Sequence, residues 1–317
     1  MHSYPVEDFR SLRVAVLAGG ESSERQISIV SGWQVVSALE SVGHEPTWID
    51  PAESELESID WTKYDACFIA LHGGAGEDGR VQQRLERLGV PYTSSGPAAS
   101  WLAMSKSASK ERFSQAGVPT PDYALVHCRE PAKHTAARAA KIGYPVVVKP
   151  DSHGSSLGVG IADSPRRLKD CLSESFALDA YAIVERLVRG REFTVALLGR
   201  RPLPLLEVVA HEQLFSFDAK YSSSTTEYRF DTGLPPAIEG AISLAAVSAA
   251  AALGTRGLVR VDVMLDERNQ PWVLEVNTVP GLTARSLAPQ AAERAGITMA
   301  ALCSWMIHDC LLRETVA

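Results

Sequence analysis

Arg260-Val261-Asp262-Val263-Met264-Leu265 and Trp272-Val273-Leu274-Glu275-Val276-Asn277-Thr278-Val279-Pro280-Gly281 are separated by a charged turn through Asp266 to Pro271. Two alternating runs divided by turn residues read as an antiparallel hairpin. Pairing Asp262 with Glu275 also sets Arg260 opposite Asn277, and alternation then projects all four side chains from one face of the ribbon. The other face pairs Val261 with Val276, Val263 with Leu274 and Leu265 with Trp272. That face is wholly apolar and belongs in a core. A slip of one residue would bury the carboxylates and expose the valines, so the hydrophobic pattern selects the register. Two carboxylates and an amide on a rigid face supply hard oxygen donors, suited to Mg²⁺ bridged to phosphates. Taken alone, the same residues read equally as a solvated hairpin face of mixed charge.

The chain around this hairpin has 317 residues, enough for two or three domains, with 45% hydrophobic and 22% charged content. Those values are ordinary for a globular protein. The net charge of −7 comes without a basic tract, which suggests neither a nucleic-acid nor an acidic-membrane partner. The apolar run at residues 14–18 is too short for a signal peptide or a membrane span, and no later run is read as long enough. The five cysteines are odd in number, scattered and without CxxC spacing, as expected for reduced, buried thiols of a cytoplasmic protein.

From the N-terminus, the run at residues 13–18 leads through Gly19 and Gly20 into a helix expected over residues 27–39. A strand, a glycine turn and a helix begin an α/β unit. Glu24 lies near the helix start, where a carboxylate also complements the helix dipole. A second buried strand at residues 64–71 runs into His72 and a loop with four glycines in eight residues. Such a loop needs unusual backbone angles or close approach to a ligand, and the carboxyl end of a strand is where open α/β sheets bind ligands. A helix follows at residues 80–88, and the pattern changes near residue 100.

Residues 100–115 read as one helix containing Lys106 and Lys110. After a strand near 123–126 and a helix near 132–142, Lys149 ends a β-branched strand and precedes a Gly/Ser loop at residues 151–160. A lysine, backbone N–H groups and hydroxyls together can cradle phosphates, although no P-loop signature occurs. Segments 182–188 and 192–198 read as two strands joined through Gly190, carrying Glu185 and Glu192 in apolar surroundings. Edge-strand charge or hydrogen bonding to adenine and ribose accounts for either residue. Residues 211–236 form a long polar stretch whose aromatics fit a functional lid better than disorder. An alanine-rich helix at 238–253 leads to the hairpin, and helices within 286–312 close the chain.

In this order, LAGGESSERQIS, LHGGAGEDG, GVPYTSSG, VVVKPDSHGSSLGVG, GREFTV, AKY, RVDVML and LEVNTVPGLTARSLAP closely resemble the D-alanine-D-alanine ligases of the ATP-grasp superfamily. The resemblance spans residue 14 to about residue 297. It implies an α/β and α+β fold, with a Rossmann-like open-sheet domain at 1–100, a central ATP-grasp lid at 101–184 and a C-terminal ATP-grasp domain at 185–317 bearing the lid loop 211–236. It also implies that ATP phosphorylates the carboxylate of one D-alanine and that the amine of a second attacks the acyl phosphate. Asp262, Glu275 and Asn277 would hold two Mg²⁺ or Mn²⁺ ions, and Arg260 would neutralise the transferring phosphoryl group. Lys106, Lys149, Ser155, Ser156 and Lys220 would contact phosphates or close the lid, with Glu185 at the adenine and Glu192 at the ribose. Glu24 would anchor the first D-alanine ammonium, His72 would lie beside its carboxylate, and Glu24, Ser155 and Tyr221 would form a closing hydrogen-bonded set. Gly281, Ser286 and Leu287 would shape the second-substrate pocket. The implied enzyme is a cytoplasmic homodimer serving peptidoglycan synthesis.

His153, Ser105, Leu282 and Arg285 stand where the family more often has glutamate, aspartate, methionine and histidine. Of these, Arg285 lies close to the second-substrate pocket. A ligase of D-alanine with D-lactate or D-serine, or an inactive nucleotide-binding relative, are the competing readings. Tyr221 favours an amine acceptor, and the intact Lys149, Arg260, Asp262, Glu275 and Asn277 argue for activity.

Overall fold

Val14, Val16 and Ala18 face one side of the first strand and Ala15 and Leu17 the other, and all five are buried. An unbroken apolar run of this kind suits a parallel strand covered on both faces. In the computed structural model, which describes residues 10–209 and 226–314, β1 (Arg13–Leu17) is the centre of a parallel sheet. Its neighbours are β2 (Glu45–Ile49) and β3 (Ala66–Ile69), in the order β2-β1-β3. Helix α1 (Arg25–Glu40) packs on one face and α2 (Arg80–Arg87) on the other.

The single helix expected over residues 100–115 is two, α3 (Pro97–Met104) and α4 (Lys106–Gln115). Ser105 breaks it: its backbone is extended, and its hydroxyl accepts from the Ala108 N–H and donates to Asp151 at 2.8 Å. A serine at this position offers the backbone a cap in place of a continuing helix.

A second, antiparallel sheet has the order β4-β7-β5-β6, from β4 (Tyr123–His127), β5 (Val146–Pro150), β6 (Gly160–Ala162) and β7 (Tyr181–Arg186). Val126, Val146, Val148, Ala182 and Val184 turn toward α5 (Ala132–Ile142) and α6 (Pro165–Phe176). Alternation leaves Lys149 and Glu185 on the opposite face.

The third sheet contains β8 (Gly190–Leu198), β9 (Arg201–Pro202), β10 (Leu206–Val209), β11 (Glu227–Arg229), β12 (Leu258–Asp266) and β13 (Pro271–Asn277). Its order is β11-β10-β8-β12-β13, with β9 on β8. Val259, Val261, Val263 and Val273 bury one face against α7 (Pro236–Leu253). By length and composition α7 could cross a membrane, which the reading of apolar runs overlooked; here its Ile242, Ala246 and Ala249 pack beneath the sheet. Helices α8 (Leu287–Arg294) and α9 (Met299–Glu314) close the chain.

The hairpin register holds for Arg260 with Asn277, Val261 with Val276 and Asp262 with Glu275, and then a bulge shifts it. Val263 pairs with Val273, Met264 with Trp272 and Leu265 with Pro271. The expected partners Leu274 and Trp272 are therefore wrong for the far half of the ribbon, because one extra residue on β13 is left unpaired.

Packing also cuts across the expected divisions. The strands flanking Gly190 lie in different sheets, and the change falls at residues 187–189, so a boundary at 184/185 crosses β7. At Gly190, with φ +151, an added Cβ would stand 1.9 Å from the Leu265 carbonyl oxygen, so the new strand starts where only glycine fits. Ala103 and Phe113, from α3 and α4, join the core under the third sheet. Leu302, Cys303, Met306 and Ile307 of α9 return to the core of the first sheet. Strands β2, β6, β9 and β10 and helix α6 were not read from sequence, and β11 lies inside the expected lid loop 211–236. Of the five free cysteines four are buried, whereas Cys128 is exposed.

Candidate active site

Alternation along β12 and β8 builds the floor. Leu258, Arg260 and Asp262 share a face with Leu198, Ala196 and Thr194, their direct partners on β8. At one end Leu258, Leu198 and Ala196 join the core shared with the first sheet; at the other, Arg260 and Asp262 line an open cavity of 440 Å³. Arg260 clamps Asp262 through two hydrogen bonds of 2.9 Å, and Thr194 donates a third at 2.9 Å. Lys106 Nζ lies 3.7 Å from Glu275 and donates to the His153 carbonyl at 2.6 Å. Asn277 Oδ1 accepts the Val279 N–H at 2.9 Å.

Among the described residues no three His, Cys, Asp or Glu side chains cluster as a metal cage. Asp262, Glu275 and Asn277 are instead an open set of two carboxylates and one amide, and an open oxygen set suits an ion completed by substrate phosphates.

Glu185 lies between two lysines, 2.6 Å from Lys149 Nζ and 2.9 Å from Lys110 Nζ. All three are buried. Burial pushes the Glu185 carboxyl up, but the two ammonium groups more than offset it and hold the group below the usual range. Lys110 also donates to Thr120 Oγ1 at 2.7 Å, and that hydroxyl donates to the Val273 carbonyl. Lys110 was passed over in the sequence because a lysine in a polar helix carries no local sign of burial.

Glu24 stands at the start of α1 without capping it. Its carboxylate accepts a hydrogen bond from Ser155 Oγ, joining the first domain to the loop after β5. Ser155 and Ser156 both have positive φ, at 54° and 56°, a backbone region costly for serine and common where a loop is shaped for a ligand. Ser286 Oγ accepts from the Thr283 N–H at 3.1 Å and leaves α8 uncapped. Gly281, Ser286, Leu287, Arg285 and Glu192 line the same cavity as Arg260 and Asp262. Lys220 and Tyr221, with most of loop 211–236, lie outside the described residues.

His72 is buried with both ring nitrogens engaged, Nδ1 3.1 Å from the Val279 carbonyl oxygen and Nε2 2.8 Å from Ser31 Oγ. Burial pushes its pKa down to about 4, so the ring is neutral.

Glu77, in the glycine loop that follows His72, lies 4.0 Å from His72 Nδ1. Burial and then the Glu24 carboxylate push its pKa up to about 8. An unfolded glutamate ionises near 4.5, so between that value and 8 the folded chain holds the extra proton and stability falls as pH rises. The buried neutral His72 acts in the opposite sense, but only below its unfolded pKa near 6.5. Between pH 7 and 8 we therefore expect stability in the absence of ligands to fall with pH by up to about 1.4 kcal/mol per unit. Denaturant unfolding of Glu77→Gln should show this slope reduced; an unaltered slope would remove Glu77 as its source.

The family described as D-ala D-ala ligase C-terminus matches residues 113–308. The chain is 42% identical over 301 residues to the D-alanine-D-alanine ligase of Alcanivorax borkumensis, covering 95% of this chain and 94% of that protein. It is 41% identical over 287 residues to that of Gloeobacter violaceus, covering 90% and 95%. Among solved structures, the D-alanine-D-alanine ligase of Bacillus anthracis superposes with a TM-score of 0.85 at 32% identity, over 97% of this chain and 100% of the other. The same enzyme complexed with ATP gives 0.85 at 31% identity, with the same coverage.

Proposed function

The chain belongs to the D-alanine-D-alanine ligase family, and from that premise we propose that it joins two D-alanines into D-alanyl-D-alanine at the expense of ATP, forming ADP and phosphate, for peptidoglycan synthesis. The observation that carries this reading is the hairpin face, where Arg260, Asp262, Glu275 and Asn277 stand in one register, the first two lining the cavity.

Glu24 holds the ammonium of the first D-alanine, with its carboxylate turned toward the γ-phosphate. Lys106 and Lys149 take phosphate charge, and Arg260 stabilises the transferring phosphoryl group and then the tetrahedral intermediate. Asp262, Glu275 and Asn277 would hold two Mg²⁺ or Mn²⁺ ions, which when bound neutralise charge on the ATP phosphates. Glu192 meets the ribose. Glu185 reaches the adenine only if it gives up part of its pairing with Lys110 and Lys149. Gly281, Ser286 and Leu287 receive the second D-alanine, whose amine attacks the acyl phosphate. Ser155, Ser156, Lys220 and Tyr221 shut the site; an acyl phosphate left in water hydrolyses, so exclusion of water protects the intermediate. The reading includes a cytoplasmic location and a homodimer, both carried by the family.

Phosphate release from ATP and Mg²⁺ should require D-alanine and not occur with L-alanine, and mass analysis should identify D-alanyl-D-alanine. Release with D-alanine only when D-lactate is added would move the function to a depsipeptide ligase, with Arg285 the residue to test. No release with any pair would overturn the reading.

A further inference from the structure

Three buried hydrogen bonds connect α1 to the loop after β13. The Leu282 N–H donates to Ser31 Oγ at 3.2 Å, Ser31 Oγ lies 2.8 Å from His72 Nε2, and His72 Nδ1 lies 3.1 Å from the Val279 carbonyl oxygen. The directions follow from the chemistry. A carbonyl oxygen only accepts, so Nδ1 carries the ring proton, Nε2 of the neutral ring accepts, and the Ser31 hydroxyl donates to it while accepting from Leu282. Ser31 is fully buried and His72 is 3% exposed, so water offers neither of them a substitute partner. The His72 carbonyl is itself tied to Ser22 Oγ at 2.5 Å, which fixes the start of the histidine loop against the residues before α1.

The two loop positions held in this way, 279 and 282, bracket Pro280 and Gly281, and Gly281 lines the cavity beside Ser286. Ser31 is seven residues beyond Glu24. Two helical turns, about 10 Å of rigid helix, separate them on the same side of α1. Glu24 at one end meets the loop bearing Ser155, and Ser31 at the other meets the loop bearing Gly281.

We propose that Ser31, acting through His72, is a positioning residue that straps the loop at residues 279–282 to α1 and so sets the acceptor subsite at a fixed distance from the donor anchor Glu24. The assignment of the two subsites rests on the proposed function; the strap itself does not. His72 in this account is held by the protein on both ring nitrogens and shapes the site without binding the first substrate's carboxylate.

The test compares Ser31→Ala and Ser31→Thr with the parent chain. Removing the hydroxyl leaves a buried amide and a buried ring nitrogen without their partner, so the loop should relax away from α1. In Ser31→Ala the apparent KM for the acceptor D-alanine should rise about tenfold or more, while the KM for ATP and for the donor D-alanine stays within about threefold. Ser31→Thr, which keeps the hydroxyl, should restore most of the difference. A general loss of folded protein would lower kcat and leave every KM unchanged, which would overturn the proposal. Two spectroscopic readouts do not depend on activity. Exchange of the Leu282 amide proton should accelerate about tenfold or more in Ser31→Ala, and the His72 ring ¹⁵N shifts, which should report the Nδ1–H tautomer in the parent chain, should change. Unaltered Leu282 exchange would overturn the strap. Were D-alanine ligation absent altogether, the proposed function would fall while the exchange result still decided the strap.

Discussion

Glu275→Gln is expected to reduce phosphate release by about a thousandfold, a loss near 4 kcal/mol of transition-state stabilisation. The substitution keeps the shape of the side chain and removes one negative charge from a set that has only two carboxylates, Asp262 and Glu275, with the Asn277 amide. Asp262 would then be the one carboxylate left in the set, and its oxygens are shared with Arg260 and Thr194. The change also takes the carboxylate away from Lys106, 3.7 Å distant and itself buried. Burial already pulls the Lys106 pKa down, and Glu275 works against that pull, so its loss also weakens the charged form of the lysine proposed to contact phosphate. Steady-state phosphate release with saturating D-alanine and ATP measures the effect, and thermal unfolding of the same variant checks that the fold survives. Near-normal release from a folded variant would falsify the metal assignment.

Lys110→Met carries the second large effect, and it falls on stability. Its ammonium is fully buried, and removing it leaves the equally buried Glu185 with Lys149 as its remaining lysine. Breaking a buried pair by deleting one partner typically costs about 3 to 5 kcal/mol, because the surviving charge has lost its compensation. With Lys149 still in place, the expected cost is about 3 kcal/mol in denaturant unfolding. The link from Lys110 through Thr120 to the Val273 carbonyl is lost as well, and with it a tie between the second sheet and the hairpin. Lys110→Met/Glu185→Gln should recover part of the loss, since a neutral amide costs less to bury than a carboxylate. A single variant as stable as the parent chain would mean that the triad is relieved by rearrangement and does not brace the two sheets.

Much of this protein follows from local hydrophobic pattern. β1, β3 and the strand ending at Lys149 are unbroken apolar runs buried on both faces, and the near half of the β12–β13 hairpin alternates, so that one face must be apolar and the other is then determined. The four hairpin residues could be placed on one face because a side chain's direction in a strand depends only on its position. The same logic failed past Asp262. Val273 and Leu274 are both apolar, so the pattern could not tell which of them faces the core, and the bulge was invisible. β2 has a glutamate, a proline and a partly buried tryptophan in its five residues, and the first two are depleted in strands.

Tertiary structure alone decided the partners. Glu185 was legible as a carboxylate in an apolar strand, but its two lysines come from α4 and β5, which only the folded chain brings together. Ser31 and His72 are forty-one residues apart, and nothing near either one distinguishes a buried hydrogen-bonded serine from a solvated one. The raised pKa of Glu77 likewise arises from burial and from Glu24, fifty-three positions away in the sequence. Hydrophobic periodicity is a property of neighbouring residues and survives in the sequence. The compensation of buried charge and of buried hydrogen-bonding groups depends on which remote side chains share a volume from which water is excluded, and only the folded chain determines that.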